Sequence, residues 1–275
     1  MNKAILITGC STGIGYTCAH ALHKKGYQVI ASCRKQEDVE KLKSEGLTCI
    51  QLDVSDIESV RRAAKEAIQL SGGKLYALFN NGAYGQPGAI EDLSTEALKT
   101  QFETNFFGWH ELVINILPTM RKNGEGRIVQ NSSVLGFAAM KYRGAYNASK
   151  FAIEGWTDTL RLELYGTDIK IALLEPGPIE TQFRQNALQA FKKWINIENS
   201  VHSQSYIEQL QRLEKEQSSK QFVLPPESCI KPLLHALESP KPKNRYRITT
   251  PTKVFAVLKR LLPSRWLDPL LRKAA

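Results

Sequence analysis

The sequence predicts a doubly wound α/β fold, and three observations carry that prediction. Apolar runs of strand length alternate with amphipathic, helix-length stretches from residue 3 to about residue 180. A glycine-rich turn follows the first of those runs directly. Several runs end in small or polar residues, as expected where ligands gather at the carboxyl edge of an open parallel sheet. Over 275 residues the unbroken alternation argues for one domain rather than two.

Lys3 to Thr8, KAILIT, reads as the first strand. Gly9-Cys10-Ser11-Thr12-Gly13-Ile14-Gly15 then turns sharply into a helix reaching about His23. Glycine belongs where backbone approaches a phosphate or passes tightly between strand and helix, and the helix's exposed amides receive the pyrophosphate of a dinucleotide. The second strand, Tyr27 to Ser32, ends at Cys33-Arg34-Lys35, about 20 residues past the turn, where the adenosine ribose lies. An acidic residue there would take the 2′-hydroxyl of NAD. Two cations suit the 2′-phosphate of NADP instead, the alternative being that they merely begin a solvated helix.

Leu47 to Leu52 makes a third strand closing on Asp53 and Val54, with Ser55 as the N-cap of a helix through Leu70. Asp53 either accepts a hydrogen bond from the adenine amino group or serves the neighbouring loop. A fourth strand, Leu75 to Phe79, gives way to Asn80-Asn81-Gly82-Ala83, suited to a strand end lying against a cofactor. Thr95 to Met120 reads as one long helix in which Asn105, among Phe102, Phe106, Phe107 and Trp109, needs a partner if buried.

The centre of the chain brings chemistry together. Arg127 to Gln130 reads as a buried strand ending in Ser132 and Ser133, and the helix from Ala145 to Leu164 sets Tyr146 and Lys150 four apart on one face. A hydroxyl, a phenol and an ammonium suit proton transfer at an oxygen whose carbon gains or loses hydride. An unperturbed tyrosine titrates near ~10, too high for a good shuttle. Lys150, helped by an oxidised nicotinamide, is expected to favour phenolate and pull that value down, while Ser133 polarises the substrate oxygen. Ile169 to Leu174 forms the next strand and ends in the rigid turn Glu175-Pro176-Gly177-Pro178-Ile179-Glu180-Thr181. Residues 182–224, amphipathic and without a strand pattern, read as a substrate lid. A helix over 226–238 and a final strand from Arg245 to Thr249 complete the pattern.

Five scattered cysteines without a CxxC pair, and five histidines without an HExxH pattern, argue against disulfides and a metal site. The formal charge of +10 is concentrated: from Lys241 onward ten basic residues face only Asp268, so the tail carries +9 and the rest +1. Residues 252–275 interleave those cations with large aliphatics. The segment either docks on the protein's own body or a subunit contact, or attaches to an anionic membrane surface. Nucleic acid is disfavoured because stacking aromatics are scarce there. The apolar run after Lys3 is too short for a secretory signal, and no stretch reaches the roughly 18 uninterrupted apolar residues of a spanning helix. A soluble, cytoplasmic protein is expected.

With these residues laid out, the chain resembles the short-chain dehydrogenase/reductase family along nearly its whole length. Thr8-Gly9-x-x-x-Gly13-x-Gly15 matches that family's cofactor fingerprint, and Asn105, Ser133, Tyr146 and Lys150 match its catalytic tetrad in order and spacing. The resemblance implies a single-domain Rossmann fold with a seven-stranded parallel sheet, often assembled as dimers or tetramers through the helices starting near Thr95 and Ala145. It makes Tyr146 the acid/base, Ser133 the substrate-orienting hydroxyl, Lys150 the holder of the nicotinamide ribose and Asn105 the anchor of a proton-relay water. Ser133 is preferred to Ser132 because it stands 13 residues before Tyr146, the family's spacing. Ile179 and Thr181, with Pro176 in the same turn, match the segment at the carboxamide end of the cofactor. The family's Asn-Asn-Ala-Gly is Asn80-Asn81-Gly82-Ala83 here, which alters the expected contacts of Gly82 and Ala83. The glycine turn, Cys33-Arg34-Lys35, the proline turn and the Lys-Arg-Leu-Leu-Pro tail look like a bacterial branch regarded as NADP-dependent aldehyde reductases, and also like retinol and hydroxysteroid dehydrogenases. The expected activity is NADP(H)-dependent reduction of an aldehyde or ketone with an apolar chain. A steroid or retinol dehydrogenase, or a non-catalytic NADP-binding regulator, are the alternatives.

Overall fold

A strand covered by helices on both faces has to be apolar throughout, and the first one, β1 (Ala4–Ile7), is buried at every position. The computed structural model describes residues 3–214 and 222–274. In it β1 is followed by α1 (Gly13–Lys24), β2 (Gln28–Cys33), α2 (Gln36–Ser44), β3 (Thr48–Gln51), α3 (Ile57–Leu70) and β4 (Leu75–Asn80). Then come α4 (Thr95–Phe102), α5 (Gly108–Asn123), β5 (Gly126–Asn131), α6 (Gly144–Glu163) and β6 (Ile169–Glu175). The chain continues through α7 (Phe183–Trp194), α8 (Ser203–Glu214), α9 (Ile230–Glu238), β7 (Arg245–Arg247), α10 (Thr250–Leu261) and α11 (Ser264–Ala274).

The strands form one sheet in the order β3-β2-β1-β4-β5-β6-β7, all parallel. Alternate residues of β1 feed opposite cores, as the two-residue period requires. Ile5 and Ile7 join Cys18, Leu22 and Leu233 on the face carrying α1 and α9. Ala4 and Leu6 join Val60, Leu112 and Ile116 on the face carrying α3 and α5. Strand order reverses between β1 and β4, so the crevice that binds ligands in such sheets opens between their carboxyl ends. None of the helices among the described residues is long and apolar enough to cross a membrane.

Several local expectations are corrected. Asp56, not Ser55, caps α3, its carboxylate accepting the Glu58 amide, because Ser55 is turned back onto Asp53 through both its amide and its hydroxyl. The long helix expected from Thr95 is interrupted by a π-helical turn, Glu103–Phe107, with Asn105 inside it, and extends to Asn123. Residues 226–229 form a 3-10 turn before α9, and the last strand stops at Arg247 because Thr249 already begins the next helix as its N-cap. Of the stretch expected to form a lid, residues 215–221 lie outside the described residues. The remainder leaves and returns at one point, where Glu180 and Leu224 exchange backbone bonds: Glu180 N donates to Leu224 O (2.9 Å) and Leu224 N to Pro178 O (3.1 Å).

Candidate active site

The glycine turn between β1 and α1 is shaped by close backbone approach. Gly9 and Gly13 adopt φ of 69° and 62°, a region that other residues avoid. A side chain at Gly15 would bring its Cβ to 2.2 Å from Gly9 O and 2.6 Å from the Asn81 amide nitrogen. The N-cap residue of α1, Thr12, makes no side-chain bond to the helix amides and the first turn holds no acidic residue. Free amides, a positive helix end and a cradle that a Cβ would fill fit the pyrophosphate of a dinucleotide. Ser11 flanks this turn half-buried, and Ile14 packs against the core beneath it.

Across the crevice the end of β4 is tied down. The Asn81 and Gly82 backbone amides both donate to Thr8 Oγ1 at 2.8 Å, and the Asn81 side-chain Nδ2 donates to Thr8 O and Gly9 O. The exchanged Gly82-Ala83 pair is accommodated because Gly82 lies against Gly9, where a Cβ on Gly9 would reach Gly82 Cα at 2.6 Å. Arg34 is exposed just past the end of β2, its carbonyl held by Gln51, whereas Lys35 pairs with Glu37 at 2.9 Å. Asp53 serves its own loop through Oδ1. Val54 is half-buried, and its carbonyl occupies the space that a side chain on Gly108 would need.

Tyr146 lies on α6 and is 8% exposed; Lys150, one turn on, is 1% exposed. The Lys150 ammonium donates to Asn131 O at 2.7 Å and lies 4.3 Å from the centre of the Trp109 ring. It stands 5.6 Å from the centre of the Tyr146 ring. Ser133, at the end of β5, accepts the Leu135 amide. Burial pushes the Tyr146 phenol up to about 12, the Ser133 hydroxyl beside it pulling the other way. Burial also lowers Lys150 to about 7, opposed by the negative charge of Glu154. The lowering expected of Lys150 was tied to an oxidised nicotinamide beside it, and the protein's own surroundings act the other way. Low dielectric disfavours both charged forms, and the ammonium is drawn to the Asn131 carbonyl.

Asn105 is fully buried and saturated: its amide oxygen accepts Tyr84 N, and its nitrogen donates to Tyr84 O and Ser149 Oγ. Ser149 donates in turn to the Tyr146 carbonyl. The π-helical turn thus hangs on α6 immediately beneath the phenol, the kind of local irregularity that marks functional sites. Behind Lys150, Glu154 accepts from Arg245 at 3.0 Å, which also reaches Asp158 at 2.6 Å. Arg247 holds the fully buried Glu175 at 3.2 Å, whose pKa burial and the nearby Glu154 raise to about 7.

The turn after β6 closes the site from the other side. Pro176 O accepts the Val134 amide at 2.8 Å, joining this turn to the loop that carries Ser133. Thr181 comes so near Gly13 that a Cβ there would lie 2.9 Å from its methyl group, and Ile179 packs on the core beside α1. Phe183, the first residue of α7, sets its ring centre 5.3 Å from that of Tyr146. α8 is clasped to the loop before α4: Tyr206 donates to Asp92 and accepts the Ala89 amide, while His202 meets Glu91 at 2.6 Å.

The structure brings Ser133, Tyr146 and Lys150 together, with Asn105 tied to the same helix through Ser149, whereas Arg34 and Lys35 follow the end of β2 and Asp53 and Val54 the end of β3. Sequence reading missed Asn131, Trp109, Ser149, Glu154 and Phe183. Glu154, four residues after Lys150, was the one with a readable signal, since helical spacing puts it on the lysine's face.

The family model for short chain dehydrogenases matches residues 3–191. An uncharacterised oxidoreductase of Escherichia coli (strain K12), YbbO, is 43% identical over 272 residues, covering 99% of this chain and 95% of that protein. Retinol dehydrogenase 8 of Bos taurus is 33% identical over 272 residues, covering 95% and 86%. A short chain dehydrogenase/reductase of Burkholderia phymatum in complex with NAD superposes with a TM-score of 0.77 at 25% identity, covering 98% and 95%. A dinucleotide cradle at the switch point, a buried serine, tyrosine and lysine beside it, and kinship over almost the full length lead to one conclusion: the chain belongs to the short-chain dehydrogenase/reductase family of nicotinamide-dependent oxidoreductases.

Proposed function

We propose that this chain is an NADPH-dependent carbonyl reductase that converts an aldehyde or ketone bearing an apolar chain to the alcohol. The observation that carries the reading is the placement of the Tyr146 phenol beside the Ser133 hydroxyl and one helical turn from the Lys150 ammonium, which stands 5.6 Å from its ring centre, an arrangement suited to passing a proton to a carbonyl oxygen. When bound, the cofactor supplies hydride to the carbonyl carbon. Gly9, Ser11, Thr12, Gly13, Ile14 and Gly15 would hold its pyrophosphate, Arg34 and Lys35 its 2′-phosphate, and Asp53, Val54, Asn81 and Gly82 the adenosine side. Pro176, Ile179 and Thr181 would hold its carboxamide end, and Lys150 the nicotinamide ribose.

Ser133 donates to the substrate oxygen and polarises the carbonyl. The Tyr146 hydroxyl protonates that oxygen as negative charge gathers on it. The phenolate left behind is favoured by the adjacent Lys150 ammonium, which would also hold the nicotinamide ribose, and a water at the Asn105 turn returns the proton. Residues 182–224 act as a lid, with Phe183 covering the phenol and excluding water. The apolar residues exposed on α4, the π-helical turn, α5 and α6, Leu98, Phe107, Ile114 and Phe151, suit a homo-oligomer formed through those helices. We place the enzyme in the cytoplasm, without a metal or nucleic-acid partner. Tyr146→Phe tests the reading: it should bind NADPH normally in a fluorescence titration and lose about a hundred- to ten-thousandfold in kcat with aliphatic aldehydes. Substantial turnover would overturn the assignment.

A further inference from the structure

The last two helices present a surface that the chemistry of the active site does not use. One side of the α10–α11 pair is docked on the body, through buried Thr252, Ala256 and Leu267. The other side is open. Val254, Val257 and Leu261 of α10 are 48%, 54% and 73% exposed, and Trp266 and Leu270 of α11 are 59% and 41% exposed. Spacings of three, four and seven residues align each set on a single helical face. Lys253 and Arg260, seven residues apart and both exposed, run alongside the α10 stripe, and Arg265 and Arg272 repeat that spacing on α11. The charge is more sharply placed than the tail's total suggests. Arg245 and Arg247 are spent inward on Glu154, Asp158 and Glu175, whereas residues 250–275 carry six cations against Asp268 alone.

We infer that this face binds an anionic membrane surface peripherally, with Val254, Val257, Leu261, Trp266 and Leu270 entering the headgroup boundary and the flanking cations meeting lipid phosphates. Large apolar side chains ringed by cations fit that environment, where both components add to binding. A second copy of the chain is a poorer occupant, because pairing two such faces brings like charges together. The placement links attachment to catalysis. Lys259 donates to Phe137 O and lies 4.7 Å from the centre of the Phe151 ring, so α10 rests on the loop carrying Ser133. The start of α10 is pressed on the turn after β6, where a Cβ at Gly177 would stand 2.2 Å from Thr249 Oγ1. Attachment would hold the substrate side of the site near a reservoir of apolar carbonyl compounds. This deepens the proposed apolar substrate, but its test does not depend on turnover.

The test is sedimentation of the full chain with vesicles of phosphatidylcholine alone and of phosphatidylcholine with about one quarter phosphatidylglycerol, at low and physiological salt. Wild type should sediment with the anionic vesicles and stay in solution with the neutral ones. The double variant Lys253→Glu, Arg260→Glu should bind at least roughly 25-fold more weakly, about fivefold for each cation lost. Val257→Asp with Leu261→Asp should also release the protein. All four positions are exposed, and an unchanged melting temperature confirms that each variant is folded. Wild type that ignores anionic vesicles at low salt, or variants that sediment as well as wild type, would overturn the inference. So would a wild-type oligomer that ignores vesicles and that these variants dissociate, since the face would then belong to a second copy.

Discussion

Lys150→Met should make the cofactor-free protein more stable while removing its activity. Lys150 is 1% exposed, and burial lowers its pKa from 10.5 to about 7. The unfolded chain keeps this proton up to about pH 10.5, whereas the folded chain releases it near 7. Between those values the unfolded state binds more protons, so stability rises with pH. Below about pH 7 both states are charged and the full penalty of burying the ammonium is present, on the order of 5 kcal/mol. Above about pH 10.5 the penalty is gone. Methionine fills similar space without a charge, but it leaves Asn131 O without its 2.7 Å donor, which costs about 1–3 kcal/mol. The remainder, about 2–4 kcal/mol in favour of the variant at pH 6, corresponds to a melting temperature higher by roughly 5–15 °C. The advantage should shrink as pH rises and reverse toward pH 10. Circular dichroism melts of both proteins without cofactor, at several pH values between these limits, measure it. A variant less stable than wild type at pH 6, or a gap that does not change with pH, would refute the reasoning.

Two further substitutions probe the cofactor site. Gly15→Ala forces a Cβ to within 2.2 Å of a backbone carbonyl, so the turn has to shift; an overpacking cost of about 1–3 kcal/mol should weaken NADPH binding roughly ten- to hundredfold in a fluorescence titration, and unchanged affinity would remove the turn from the site. Arg34→Ala should raise KM for NADPH by roughly ten- to hundredfold, the worth of a charge-assisted hydrogen bond, and leave KM for NADH nearly unchanged; an equal loss for both cofactors in steady-state assays would eliminate the phosphate clamp.

The sheet was legible because its signals are local and repeated. AILI, QVIASC and LYALFN each carry a strand's apolar content over a few residues, with glycine or asparagine turns marking several of the ends. The Tyr146–Lys150 pair was legible because both residues share one helix, so their spacing alone fixes their common face, whereas Asn105 and the choice of Ser133 came from the family resemblance. Three features were not. The π-helical turn at Asn105 depends on bonds to Tyr84 and Ser149, 21 and 44 residues away, and no periodicity within Thr95 to Met120 announces it. The cap of α3 was misassigned because Ser55 and Asp56 are both good capping residues, and only the tertiary position of Asp53 decides between them. The effect of burial on Tyr146 and Lys150 could not be read, because it depends on the side chains packed around them and not on their spacing. Spacing gives the pair, but the dielectric around it is set by Trp109 from a different helix.

The burial of this pair points to what a bound cofactor would have to change. Burial pushes the phenol up to about 12 and the lysine down to about 7, so the protein's own surroundings disfavour a phenolate beside an ammonium. A hydrogen-bond chain connects the two ends of the site: Thr8 anchors Asn81, Asn131 donates to Asn81 at 2.9 Å, and Asn131 accepts from Lys150. Filling the glycine turn therefore fixes the carbonyl that orients the ammonium. Acceptors brought by the ribose would restore the solvation that burial removed, raising the lysine's pKa and lowering the tyrosine's together. On this reasoning Lys150 would couple cofactor binding to the proton transfer assigned to Tyr146.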